Sequence, residues 1–162
     1  MRQVGSVSIR QQEQLRQRFQ TQREIPMSQG QPARLYVSVD GTHVHEQEGW
    51  HEAKMGCVYG QDEPLGQHKC YVGRFCTSEA FDWHIWVAAC QYGLREALEV
   101  VYLGDGAAWV RVEHDRHFQR AIFIVDWCHA SEHVWDCGKA LWGDGTTATK
   151  HWVEERLSPL WE

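Results

Sequence analysis

Apolar and polar residues alternate through Leu35-Tyr36-Val37-Ser38-Val39-Asp40, and a period of two over this length predicts a strand with one buried face. The alternation stops at Asp40-Gly41, a turn dipeptide, so the strand is expected to end there. EAKMGCVYG (52–60) and HKCYVGRFC (68–76) repeat the strand signal on either side of QDEPLGQ, where Pro64 and Gly66 mark a loop. Three strands on short connections predict an antiparallel meander. The period then changes. In SEAFDWHIWVAACQYG (78–93), Phe81, Ile85, Ala88 and Tyr92 fall on one helical face, Thr77 or Ser78 supplies a cap, and Gly93 supplies the stop.

LEVVYLGDGAAW (98–109) is a near-continuous apolar strand ending at Asp105, and a short helix is expected over roughly 107–118. AIFIV (121–125) has the five consecutive apolar residues of a strand buried on both faces. A helix from about Cys128 to Leu141 follows, WGDGTT breaks it, and ATKHWVEERLSPLWE reads as a last helix interrupted at Pro159. At the other end, residues 1–34 are rich in Gln and Arg. They read as a partly ordered leader and linker, the alternative being a helix with a weak Ile9, Leu15, Phe19 stripe that ends before Pro26.

The order of elements is three antiparallel strands, helix, strand, helix, strand, helix. A right-handed crossover from the third strand places the fourth beside the first and parallel to it. The expected fold class is therefore α/β, a ribonuclease H-like mixed sheet flanked by helices. The expected divisions are a leader and linker at 1–34, a core at 35–142, and a remainder at 143–162.

Charge narrows the function. Residues 1–34 carry six Arg against two acids, whereas residues 35–162 carry ten Lys or Arg against twenty acids. A domain this acidic does not hold nucleic acid by broad electrostatic attraction, so the basic arm, metal ions or further chain must help. No apolar stretch is long enough to cross a bilayer and no secretory signal opens the chain, which points to the cytoplasm and to no membrane partner. The six cysteines have no C-x-x-C spacing and are expected to be reduced and mostly buried.

Asp40, Asp105 and Asp126 each stand at the carboxyl end of an expected strand. If those strands are parallel neighbours, the three carboxylates emerge at one sheet edge, with Asp40 and Asp105 close enough to share a metal ion. Each Asp-Gly taken singly is also an ordinary turn, and it is the topology that makes the pair chemical. An all-oxygen site suits Mg2+ or Mn2+, which activates an attacking water and stabilises the displaced oxygen at a phosphodiester. His129 and His133 form at most half of a zinc site. His133, Glu132 and Cys137 read as surface or packing residues, and Glu154 and Glu155 as an exposed helical face.

YVSVDGTHV, GWHEAKMGCVYG, VVYLGDGAAWV and IVDWCHASEHVW, in this order, resemble the catalytic-domain blocks of bacterial insertion-sequence transposases of the DDE class, Kra-type and related to Mutator-like elements, over roughly residues 35–157. The resemblance implies a ribonuclease H-like fold with a partial catalytic core at 35–142 and the start of a helical insertion at 143–162, Asp40 and Asp105 as catalytic metal ligands, and Asp126 with His129 as the ancillary motif after the next strand. It implies magnesium-dependent DNA cleavage and strand transfer in transposition, DNA ends and target as partners, and a homo-oligomer. The family's third carboxylate, a Glu after a Gly-Ser-Gly-like turn, has no match: Glu132, Glu154, Glu155 and Glu162 sit in no such block. The expectation is a fragment, incomplete at its C-terminus and inactive alone. A small nuclease using Asp40, Asp105 and Asp126, and a non-catalytic interaction domain, remain alternatives.

Overall fold

The structure, a computed structural model, describes residues 5–22, 24, 25, 27, 28, 30–47, 49–61 and 69–161. The expected stop at Pro26, the loop at Pro64 and Gly66, Glu162, and the side chains of Ile9 and Trp161 lie outside the described residues. The chain forms two units, Met1–Ile124 and Val125–Glu162.

In the first unit, α1 (Gly5–Gln22) precedes β1 (Arg34–Glu46), β2 (Gly49–Gly60) and β3 (Cys70–Arg74). Then come α2 (Ser78–Gln91), β4 (Glu99–Gly104), α3 (Ala108–His117) and β5 (Ile122–Val125), whose last residue begins the second unit. The sheet order is β3-β2-β1-β4-β5. β1 pairs with β2, and β2 with β3, antiparallel; β1 pairs with β4 parallel, Leu35 opposite Val100 and Ser38 opposite Leu103. This is the expected α/β class: a five-stranded mixed sheet flanked by helices, compatible with a ribonuclease H-like arrangement.

Alternation decides which face is buried. Leu35, Val37 and Val39 join Val58, Val72, Val100 and Tyr102 in a core completed by Phe81, Ile85, Ala88 and Ala89 of α2 and Val110 of α3. Each buried Leu, Val, Ile or Phe contributes about 1.5–3 kcal/mol, which fixes the strand register, because a slip of one residue would send the whole set to the other face. Thr77 caps α2 by accepting the Ala80 N–H, and Gly93, at φ +94°, ends it. Tyr92, the C-cap, is partly buried and still packs against this core.

Three expectations need correcting. β1 does not turn at Asp40-Gly41 but runs to Glu46, with Asp40 opposite Met55 and Gly41 opposite Lys54. A Cβ at position 41 would stand 2.6 Å from the Glu52 carboxylate, the end of a flexible side chain that would have to move aside. β5 is not buried on both faces; it is an edge strand, with Ile122 50% and Ile124 44% exposed. The leader contains a packed helix. Phe19 of α1 lies 5.3 Å and 4.5 Å, ring to ring, from Trp83 and Trp86 of α2.

None of the six cysteines is in a disulfide, but only Cys90 is buried; Cys57, Cys70 and Cys76 are half-buried and Cys128 and Cys137 exposed, so "mostly buried" does not hold. Among the described residues, no helix is long and apolar enough to cross a membrane.

In the second unit, α4 (Trp127–Trp142) and α5 (Thr147–Leu157) pack together, followed by a 3-10 turn, Ser158–Trp161. Gly138 lets the helices approach, since a Cβ there would meet Val153 at 2.9 Å. Thr149, buried against it, donates its hydroxyl to the Gly143 carbonyl at 2.6 Å. Trp142 is exposed and Trp152 half-buried, with the Arg156 guanidinium 3.9 Å over the Trp152 ring.

Candidate metal centre

The parallel ladder between β1 and β4 ends at Ser38 opposite Leu103. Two residues further along each strand direction stand Asp40 and Asp105. Equal steps from a paired position keep both on the same face, on neighbours about 4.8 Å apart. A carboxylate oxygen of Asp40 and one of Asp105 lie within 4.8 Å of each other. β1 thus continues past the site, while β4 stops just short of it.

Their environments differ. Asp40 is exposed and Asp105 half-buried. Asp105 Oδ1 accepts the Ala107 N–H at 2.8 Å, which fixes the carboxylate across the turn into α3 and leaves Oδ2 for another partner. Lys54, opposite Gly41, faces the other side of the sheet from Asp40 and is held by Glu52 at 2.6 Å. The other cations on α3 are also engaged, Arg111 by Asp115 at 3.3 Å and Arg116 by Asp82 at 2.7 Å. Two like charges at this separation repel by about 1 kcal/mol even in water-like surroundings. Two acceptor-only oxygens this close would suit a shared hard divalent ion such as Mg2+ or Mn2+.

Asp126 and His129, in the second unit, form a pair of their own. Asp126 is the N-cap of α4: its Oδ1 accepts the His129 N–H at 3.2 Å and its Oδ2 meets His129 Nδ1 at 2.5 Å. A carboxylate can only accept, so His129 Nδ1 carries the hydrogen of this contact. Both oxygens of Asp126 are therefore spent on capping and on orienting the imidazole. Glu132, His133, Glu154 and Glu155 are exposed, Glu155 beside Arg156 at 3.3 Å. Among the described residues, no metal-capable group of three includes His133.

An ionisable cluster in the core escaped the sequence reading. Glu113 on α3 is fully buried, as is the Tyr102 hydroxyl on β4, and Asp82 on α2 is 2% exposed. Burial, then the neighbouring Asp82 charge, pushes the Glu113 carboxyl up to about 9, so it is neutral at pH 7. Burial also raises Asp82, with Arg116 opposing the shift. The available signal was Glu113 three residues after Val110, on the apolar face of RVEHDRH. Beside α1, burial lowers His84 and His117 to about 4.

The fold and this edge define an α/β protein with two carboxylates presented by neighbouring parallel strands. Comparison with protein-family models and with curated proteins gives no match.

Proposed function

We propose that the chain carries the metal-binding half of a phosphodiester-cleaving active site, of the kind DDE transposases use for DNA cleavage and strand transfer. The observation that supports it is the Asp40–Asp105 pair, level across a parallel ladder and within 4.8 Å. These two residues would hold one Mg2+ or Mn2+. Bound there, the ion supplies Lewis-acid stabilisation of the displaced oxygen and a more acidic water. The chain's own contribution is orientation: the Ala107 N–H holds one oxygen of Asp105, and β1 holds Asp40 within a continuous ladder. Asp126 and His129 are assigned an ancillary role, with the carboxylate orienting the imidazole through Nδ1.

Two carboxylates are an incomplete cage, and Glu132, Glu154 and Glu155 are exposed on helical surfaces. Cleavage and joining of DNA are accordingly proposed for an enzyme with a third carboxylate, acting as a homo-oligomer on element ends and target, and weak ion binding for this polypeptide. The test is Mn2+ titration by calorimetry, with a nicked-product assay on supercoiled DNA. One weak site, weakened at least ~10-fold by Asp105→Asn, with no DNA cleavage, is the expected result. Absence of saturable Mn2+ binding overturns the reading. Mn2+-dependent nicking lost in Asp105→Ala replaces it with a self-sufficient nuclease.

A further inference from the structure

The polar residues of α1 are sorted by face. Its inner side is seated on α2: Phe19 packs on Trp83 and Trp86, and the half-buried Glu13 lies 3.6 Å from His84 Nε2 and accepts from Arg16 Nε at 3.2 Å. The arginines of the helix therefore divide. Arg16 is consumed by Glu13 in the contact with α2, whereas Arg10 and Arg18 are exposed and, among the described residues, have no hydrogen-bond or ion-pair partner.

The helical repeat places Arg10, Gln11, Gln14, Gln17, Arg18 and Thr21 together on the side turned away from Phe19, and all six are exposed. No acid stands among the described exposed residues of α1. This face contrasts with residues 35–162, in which acids outnumber bases two to one. At 0.1 M salt, charges more than about 10 Å away are largely screened, so what a polyanion meets here is set by the residues of α1 itself. The face is also apart from the carboxylate pair. Leu35, Val37 and Val39 are buried on the side that α2 covers, and Asp40, next in the alternation, is exposed on the other side of the sheet.

We infer that the outward face of α1 is a contact surface for double-stranded DNA, lying in the major groove with Arg10 and Arg18 towards the flanking phosphates and Gln14 between them towards base edges. This deepens the proposed function, on which the choice of DNA rests, by naming a surface that holds the duplex away from the metal edge. Eight residues separate the two arginines, about 12 Å at 1.5 Å per residue, and the major groove is about 12 Å wide and admits an α-helix. Guanidinium forks suit phosphate oxygens, and a Gln amide matches the paired donor and acceptor of adenine. An acidic protein would engage the arginines but leave the glutamines between them without patterned partners. An antiparallel second copy of the helix would set Arg10 against Arg18.

The experiment is fluorescence anisotropy of the whole chain with a labelled mixed-sequence DNA duplex of about 20 base pairs, between about 50 and 200 mM KCl. The same duplex made of RNA is the second probe, and poly-glutamate is the competitor. DNA is expected to bind saturably and at least ~10-fold more tightly than duplex RNA, whose deep, narrow major groove does not admit a helix. Arg10→Gln combined with Arg18→Gln keeps two good helix formers at exposed positions. This double variant should weaken DNA binding at least ~10-fold at the lowest salt and reduce the log–log salt slope by about 1.8, the value for two phosphate contacts. Asp40→Asn should leave DNA affinity unchanged, so this result stands or falls apart from the metal site. The inference is overturned by no saturable DNA binding at the lowest salt, by equal affinity for duplex RNA, or by displacement with poly-glutamate at equal charge. An unchanged salt slope in the double variant, or loss of binding in Asp40→Asn, overturns it as well.

Discussion

Glu113 is the residue whose chemistry departs furthest from its unfolded state. Its folded pKa is raised from 4.5 to about 9, so between those values the folded protein holds a proton that the unfolded chain releases. Stability contributed at low pH is therefore lost as pH rises through this window. Glu113→Gln keeps the shape and stays neutral. Its melting temperature relative to the parent should climb by several degrees between pH 5 and pH 8.5, and a constant difference across that range would show that Glu113 is not buried as a neutral acid. At the metal edge the relevant quantity is ligand linkage. Mn2+ at about 100 times its Kd should stabilise the parent by about 2.7 kcal/mol, and Asp40→Asn should remove that gain in a thermal melt with and without the ion. The nearness of Asp40 and Asp105 was legible in the sequence because strand alternation and the crossover that sets β4 beside β1 can be read locally, although Asp40 lies within β1 rather than at its end. The Asp82–Glu113 proximity was not, since it depends on how α2 and α3 meet.

Among the elements, α1 and β5 are where local pattern and packing disagree. The stripe on α1 is weak, and only contact with the α2 tryptophans makes it part of the fold; the sequence offers Phe19 but not its partners. Phe19→Ala should cost about 1–3 kcal/mol, read as a fall in the urea midpoint at unchanged m-value. No change would mean that α1 does not pack there. AIFIV has the composition of a central strand, yet it lies at the sheet edge, where Ile122 and Ile124 meet solvent. Period and composition say how apolar a strand is, whereas order in the sheet decides what covers it. An exposed apolar edge invites pairing with another chain. Ile124→Lys should shift sedimentation towards monomer and raise the concentration at which the protein aggregates, and an unchanged association profile would place the contact elsewhere. By contrast, β1 and β4 were readable because β-branched residues recur on the side that α2 buries. The run of β1 beyond Asp40 was hidden because Asp-Gly is turn chemistry in most settings, whereas here Gly41 stands opposite Lys54 within the ladder.

For the molecule as a whole, the buried histidines and acids oppose each other. His84 and His117, lowered by burial to about 4, exclude protons that the unfolded chain takes up below 6.5, so their contribution is lost as pH falls from 6.5 through 4. Glu113 acts in the other direction above 4.5. With two histidines outweighing one glutamate in the acid range and glutamate alone acting above it, these groups place maximum stability near pH 6.5. A pH series of unfolding midpoints checks this, and a maximum at pH 9 or above would contradict the burial assigned to Glu113. The central claim remains that two neighbouring parallel strands present Asp40 and Asp105 to one divalent ion. Its most direct test is an anomalous difference map from crystals soaked in MnCl2. The account predicts a single peak about 2.2 Å from an oxygen of each carboxylate, absent in Asp40→Asn crystals. A protein saturated with Mn2+ elsewhere, with no peak between these two residues, would contradict it.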